Sequence, residues 1–238
     1  PGRSRLRDRR RVTAELVRLR WPEVRGERVL ALPLGSCEQH GPHLPLGTDS
    51  TIAATLAGSL AAQRAEILVG PPLGIGASWE HAGFPGLISI TGDLLAALLV
   101  EVARSADWAK GLVIVSGHGG NIAGVNAAVR TIRGEGRRVM AWAPRGDGDA
   151  HAGHTETSVM LALDPAAVAF DRAEAGWVGP LDEVRSRGVA AIAPNGVLGD
   201  PSAATAEHGR EVLARWSTDL LTVYDRWRAG PDDARRSS

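Results

Sequence analysis

The chain has 238 residues, 44% of them hydrophobic, enough for one large domain or two small ones around a substantial core. Its 27 basic and 27 acidic residues cancel, which excludes a whole-protein attraction to nucleic acid or to an anionic membrane. The single cysteine, Cys37, excludes an intrachain disulfide framework and a cysteine-based zinc knuckle, and it fits a reducing compartment.

No apolar segment approaches the ~20 residues that cross a bilayer, and the arginine-rich start lacks the apolar stretch of a secretory signal. A cytosolic protein is expected. Residues 1–12 read as a charged, flexible arm, and 13–20 as a short helix with Thr13 near its N-cap. Val29 to Leu34 is an apolar run bounded by a glycine, which predicts a buried strand. The loop behind it, Gly35 to Asp49, holds Glu38, His40, His43 and Asp49 among Gly41, Pro42, Pro45 and Gly47. Glu38 and His40 are two apart, so an extended backbone sends both side chains to the same face. Carboxylate and imidazole are oxygen and nitrogen ligands suited to zinc, iron or manganese. Asp49, with two oxygens, can bridge two metals, and Asp49 or Ser50 can cap an alanine-rich helix predicted over 49–63.

Glu66 to Gly70 reads as a second strand, and Pro72 to Gly86 is too rich in glycine for a helix. A long loop of this kind is a place for substrate contacts, and Ser78, Trp79 and His81 are its candidates. Ile88 to Thr91 predicts a short strand, and 92–108 a helix with a buried face. Gly111 to Ser116 is a strand apolar on both faces, as in a covered sheet. It ends at Gly117-His-Gly-Gly-Asn121, with a helix following to about Arg133. Strand, glycine turn and helix together present groups at the carboxyl edge of an α/β sheet. A phosphate loop is disfavoured because the Walker Lys-Ser/Thr and the full dinucleotide fingerprint are absent, which leaves His118 as a ligand.

Residues 138–143 predict another strand, followed by a polar patch from Asp147 to Ser158. A helix is expected from His154 or Thr155 up to Pro165, with Glu156 in its first turn, where the helix dipole favours a carboxylate. His151 lies just before it. Residues 173–200 read as irregular, and 202–228 as a final helix whose stripe of Val212, Leu213, Trp216, Leu220, Leu221 and Tyr224 is core or subunit contact. Residues 229–238 read as frayed. No repeat or break in composition marks a second domain, so 1–238 is expected to form one.

The polar groups arrive at three strand ends, which in an open α/β sheet can converge on one crevice. Five of them make a dinuclear set: Glu38 and His118 on one metal, His40 and Glu156 on the other, and Asp49 between. Two divalent ions lower the pKa of a shared water, so that a hydroxide can attack a carbonyl whose oxygen one ion polarises. His151 could then carry the proton to the leaving nitrogen. The expected chemistry is metal-assisted hydrolysis of an amide. A serine triad is less credible, since Ser36, Ser78 and Ser116 lack a nucleophile elbow.

Glu38-Gln-His40, Gly47-Thr-Asp49, Phe84-Pro-Gly86, Gly117-His-Gly-Gly-Asn121 and the run from His151 through Glu156 to Ser158 resemble the creatininase (creatinine amidohydrolase) family. The resemblance covers about residues 29–225 and implies a three-layer α/β/α sandwich with a largely parallel central sheet. It also implies two divalent metals (Zn, Fe or Mn), amide hydrolysis and a homohexamer. Its ligands fall on Glu38, His40, Asp49 and His118. The family's further glutamate ligand falls where this chain has Gly120, and Glu156 is the candidate replacement. The tyrosine and glutamate around the creatinine-processing histidine are missing, so creatinine is not the expected substrate.

Within the family, the runs Asp149 to Val159, Gly188-Val-Ala-Ala and Gly196 to Ala206 resemble the branch that serves mycofactocin synthesis. That branch acts on a small ribosomally made peptide already modified by a radical enzyme, and releases its C-terminal cross-linked Val-Tyr-derived unit. The alternatives are an amidohydrolase acting on a small formamide or cyclic amide, and a non-catalytic metal-binding scaffold. The scaffold is disfavoured because all five ligand positions carry liganding side chains.

Overall fold

Four apolar runs form four parallel strands in the computed structural model, which describes residues 14–145 and 148–230. The expected arm at 1–12, the Thr13 cap, Asp147 and the tail from 231 lie outside the described residues. In chain order the elements are β1 (Val29–Leu34), α1 (Thr48–Gln63), β2 (Ile67–Val69), α2 (Gly92–Ser105), β3 (Leu112–Ser116), α3 (Ile122–Gly134) and β4 (Val139–Trp142). They are followed by α4 (His154–Leu163), α5 (Leu181–Arg187), α6 (Val189–Ile192) and α7 (Ala206–Ala229). The strands lie in the order β2-β1-β3-β4.

Strand alternation divides the core into two layers. Ala31 pairs in register with Val113, and Val113 with Met140, and all three join the cluster that takes in α1, α4 and α7. Leu30, Leu112 and Val139 are likewise in register and face the other way, against α2 and α3. Every residue of β1 is buried, as a parallel sheet covered on both faces requires. The result is the expected three-layer α/β/α sandwich. The chain leaves β1 for β2 on one side and β3 for β4 on the other, so the crevice between the ends of β1 and β3 is the sheet's switch point. None of the described helices is long and apolar enough to cross a membrane.

Four expectations change. In place of a helix over 13–20 there are two short 3-10 turns, Leu16–Arg18 and Trp21–Glu23. The preceding chain is held extended along β2, where Val69 N–H donates to Ala14 O at 2.7 Å. Residues 88–91 form one antiparallel bridge, Ile88 to Cys37, instead of a strand. The backbone there is satisfied by loops, with Ile90 N–H donating to Gly76 O at 2.9 Å. The segment 173–200 contains α5 and α6, separated by Gly188 at φ +78°; two such short helices carry no readable periodicity. Helix α7 starts at Ala206 because the Thr205 side chain accepts from His208 N–H at 3.1 Å and fixes the N-cap there.

Candidate metal centre

The backbone after β1 brings Glu38 and His40 to the switch point, both fully buried. Asp49 sits in the first turn of α1, but it is not the cap: Gly47 holds that position with no side-chain hydrogen bond. Its carboxylate turns instead toward two rings. Oδ1 lies 3.1 Å from His40 Nε2 and Oδ2 lies 3.2 Å from His118 Nδ1. His118, leaving β3, also places Nδ1 3.2 Å from Glu38 Oε1. From the third strand end come His151, with Nδ1 3.7 Å from Glu38 Oε1, and Glu156, with Oε2 4.0 Å from both His40 Nε2 and His151 Nδ1. The structure thus brings all five sequence-derived ligand candidates and His151 to one place.

Backbone carbonyls decide which edge of each ring faces inward. His40 Nδ1–H donates to Glu38 O at 3.2 Å, His118 Nε2–H to Ala77 O at 3.2 Å, and His151 Nε2–H to Gln39 O at 2.7 Å. Each neutral ring therefore turns its other nitrogen, with a free lone pair, toward the carboxylates. This is the orientation that metal-binding histidines require.

The carboxylates fit the same reading. Both oxygens of Glu38 and Asp49 Oδ2 are buried, and among the described residues no donor closes a hydrogen bond on them. Such atoms are costly to bury unpaired. While Asp49 Oδ1 is within hydrogen-bond reach of His40 Nε2 at 3.1 Å, Glu38 Oε1 and Asp49 Oδ2 approach ring nitrogens without hydrogen-bond geometry, as ligands around an ion do. Glu38 with His40 and Asp49, and His40 with His151 and Glu156, are each close enough to hold one.

Charge coupling within the cluster gives a pH prediction. Burial opposes a charge on His40, but the Asp49 carboxylate outweighs it and lifts the ring to about 9. His118 is raised well above its ordinary value, because Asp49, Glu38 and Glu80 outweigh its burial. Burial, reinforced by the Asp49 and Glu38 charges against the pull of His40, lifts Glu156 to about 7. Asp49 is held low, since His40 and His118 outweigh its burial, and so it has no proton to displace. A metal needs neutral imidazoles and ionised carboxylates, so loading must expel the protons on His40 and His118. Metal affinity should rise with pH up to about 9, with roughly two protons released per chain at pH 8, one from each ring. Calorimetric titration with zinc in two buffers of different ionisation enthalpy checks this; no proton release would contradict it.

The three substrate candidates share one 3-10 turn but differ in exposure and partners. Trp79 is 60% exposed on the cavity wall beside the cluster. Ser78 is fully buried, with Ser36 Oγ 2.8 Å from its Oγ. His81 is buried, with Nε2 3.1 Å from Glu38 Oε1. His43 lies against Thr157 Oγ1 at 2.8 Å, and His154 reaches away to Ala203 O at 3.1 Å. Sequence reasoning left three further residues without a role. Gln39 threads between His81 and His151. Asp149 accepts from the His154 and Thr155 N–H groups at the start of α4, and so fixes the turn that carries His151 and Glu156. In that turn Ala152 is held at φ +52°, a conformation costly for a residue with a side chain.

The third is Glu80, whose Oε1 lies 3.3 Å from His118 Nε2. It occupies the space beside Gly120, where a Cβ would collide with Glu80 Oε1, His118 Nε2 and Ala77 O. In this arrangement position 120 has no room for a ligand. Gly120→Ala should therefore displace the His118 ring and weaken zinc binding by ~10- to 100-fold. Competition with a chromogenic chelator measures it, and unchanged affinity would contradict the packing.

A parallel sandwich with a carboxylate–imidazole cluster at its switch point brings together groups that could hold metal ions, and comparison with known proteins makes the class specific. The family model Creatininase, described as creatinine amidohydrolase, matches residues 17–224. The chain belongs to the creatininase family. It is 46% identical over 227 residues to a mycofactocin precursor peptide peptidase of Mycobacterium ulcerans (strain Agy99), covering 89% of this chain and 88% of that protein. Among solved structures, a Zn-Zn type of a mutant creatininase has a TM-score of 0.76 at 26% identity, covering 92% of this chain and 99% of that one. A creatininase Mn structure gives 0.76 and 26%, covering 92% and 100%.

Proposed function

We propose that this hydrolase cleaves the mycofactocin precursor peptide, already modified by a radical enzyme, and releases its C-terminal cross-linked Val-Tyr-derived unit. Glu38 and His118 would hold one divalent ion and His40 and Glu156 a second, with Asp49 shared between them. Two such ions, when bound, supply an acidified water as nucleophile and polarise the carbonyl to be attacked. His151, held neutral first of all by its burial, receives the proton of the attacking water at Nδ1. It then returns that proton to the nitrogen that leaves. Its Nε2–H bond to Gln39 O keeps the ring in the orientation both transfers need. The zinc and manganese relatives agree with Zn or Mn here, and the reading includes a cytosolic homo-oligomer, hexameric as the family resemblance implies.

One observation carries the peptide substrate over a small cyclic amide. Two cavities, of about 820 and 620 Å³, meet at the cluster and share His118, Gly119 and Glu156. Each alone is the size of a small-molecule site. A small amide needs one of them, whereas a peptide with chain on both sides of the scissile bond needs both. Trp177 and Trp216 line the smaller cavity and suit an aromatic-derived unit, while Trp79 and Arg187 line the larger. Mass spectrometry of the modified precursor peptide after incubation with the enzyme, with and without a chelator, tests this. Chelator-sensitive release of the two-residue unit is expected. An intact peptide beside a metal-loaded enzyme would overturn the peptide reading and turn the search to small formamides and cyclic amides.

A further inference from the structure

Distance alone would enlist His81 as a further metal ligand. Its Nε2 is 3.1 Å from Glu38 Oε1, and Glu38, His81 and His151 are close enough together to hold an ion. We infer instead that His81 is a neutral ring with its hydrogen on Nε2, which leaves no lone pair there for a metal, and that Gln39 fixes it in that form.

The argument turns on the Gln39 side chain, which is buried. Its Oε1 accepts from Gly41 N–H at 2.7 Å, which identifies the other terminal atom as the amide nitrogen. That nitrogen has two hydrogens and three neighbours: Gly196 O at 3.0 Å, His81 Nδ1 at 2.9 Å and His151 Nε2 at 3.2 Å. Gly196 O can only accept, so it takes one hydrogen. His151 Nε2 lies 2.7 Å from the Gln39 carbonyl oxygen, to which it donates, so it carries a hydrogen and cannot accept. The second amide hydrogen therefore goes to His81 Nδ1. A neutral His81 then bears its own hydrogen on Nε2, the atom turned toward Glu38. A protonated ring nitrogen has no lone pair for a metal.

His81 is thus of opposite polarity to His40, His118 and His151, which turn lone pairs into the cluster. Nε2 lies 3.1 Å from Glu38 Oε1 without closing a hydrogen bond on it, so the N–H acts on that carboxylate through its dipole, steadying the charge as a positioning residue does. The same ring lines the larger cavity, so it stands between a ligand and the space for substrate. The inference concerns only this chain's groups and holds whatever amide is cleaved.

Nitrogen-15 NMR of histidine-labelled, zinc-loaded protein tests it directly. His81 should show a protonated Nε2 and an unprotonated Nδ1. His81→Gln, which keeps an N–H donor, should retain the zinc content of the unaltered protein, while His81→Ala should bind zinc ~10- to 100-fold more weakly. Gln39→Glu should move the hydrogen to His81 Nδ1, since a carboxylate can only accept. An unprotonated His81 Nε2 in the zinc-loaded protein, or loss of zinc from a folded His81→Gln variant, would overturn the inference. The measurement on the unaltered chain decides the matter even if a variant fails to fold.

Discussion

Asp49→Ala should abolish hydrolysis and strip the metal while leaving the helical circular dichroism intact. Its two oxygens face different histidines, Oδ1 toward His40 at 3.1 Å and Oδ2 toward His118 at 3.2 Å, so one substitution removes the group common to both halves of the cluster. Turnover should fall by at least about 10³-fold, or about 4 kcal/mol of barrier lowering. The fold should survive because α1 does not start on this carboxylate. The turn before the helix is held by Thr48 Oγ1–H donating to Pro45 O at 2.8 Å, and alanine is the best helix former. Elemental analysis beside a turnover assay measures both effects. Full turnover by a metal-free Asp49→Ala protein would sink the mechanism.

His151→Ala should separate proton transfer from metal binding. The ring is held well below the ordinary histidine value, chiefly by burial, so its Nδ1 is an open base at neutral pH. Removing it should lower kcat by ~10²- to 10⁴-fold with metal content unchanged. It also leaves the Gln39 carbonyl without its 2.7 Å donor, a loss of about 1–3 kcal/mol of stability that a thermal melt would register. Loss of metal from a folded His151→Ala protein would show that His151 is a ligand; Nδ1 lies 4.0 Å from Glu156 Oε2, within reach of that role.

The ligand loop was legible because its geometry is local. An extended backbone after β1 puts Glu38 and His40 on one face, and the glycine turn after β3 exposes His118, whatever surrounds them. The strands of the sheet were legible for the same reason, since a parallel strand covered on both faces is a continuous apolar run. What the sequence could not convey is set by distant backbone. The inward edge of His118 depends on Ala77 O, and that of His151 on Gln39 O, 41 and 112 positions away along the chain. The place of Glu80 beside Gly120 likewise follows from two loops meeting. His81 reads as a substrate contact from its loop, and only the Gln39 amide reveals which of its nitrogens carries the hydrogen. Helices α5 and α6 went unread because seven and four residues are too few for an apolar stripe to repeat.

The central claim is that two metals share Asp49 at the switch point between β1 and β3. Anomalous X-ray scattering from crystals grown with zinc, with data collected on both sides of the zinc edge, tests it most directly. The account predicts two peaks flanking the Asp49 carboxylate, one reached by Glu38 and His118 and the other by His40 and Glu156. A single peak, or peaks away from Asp49, would contradict it.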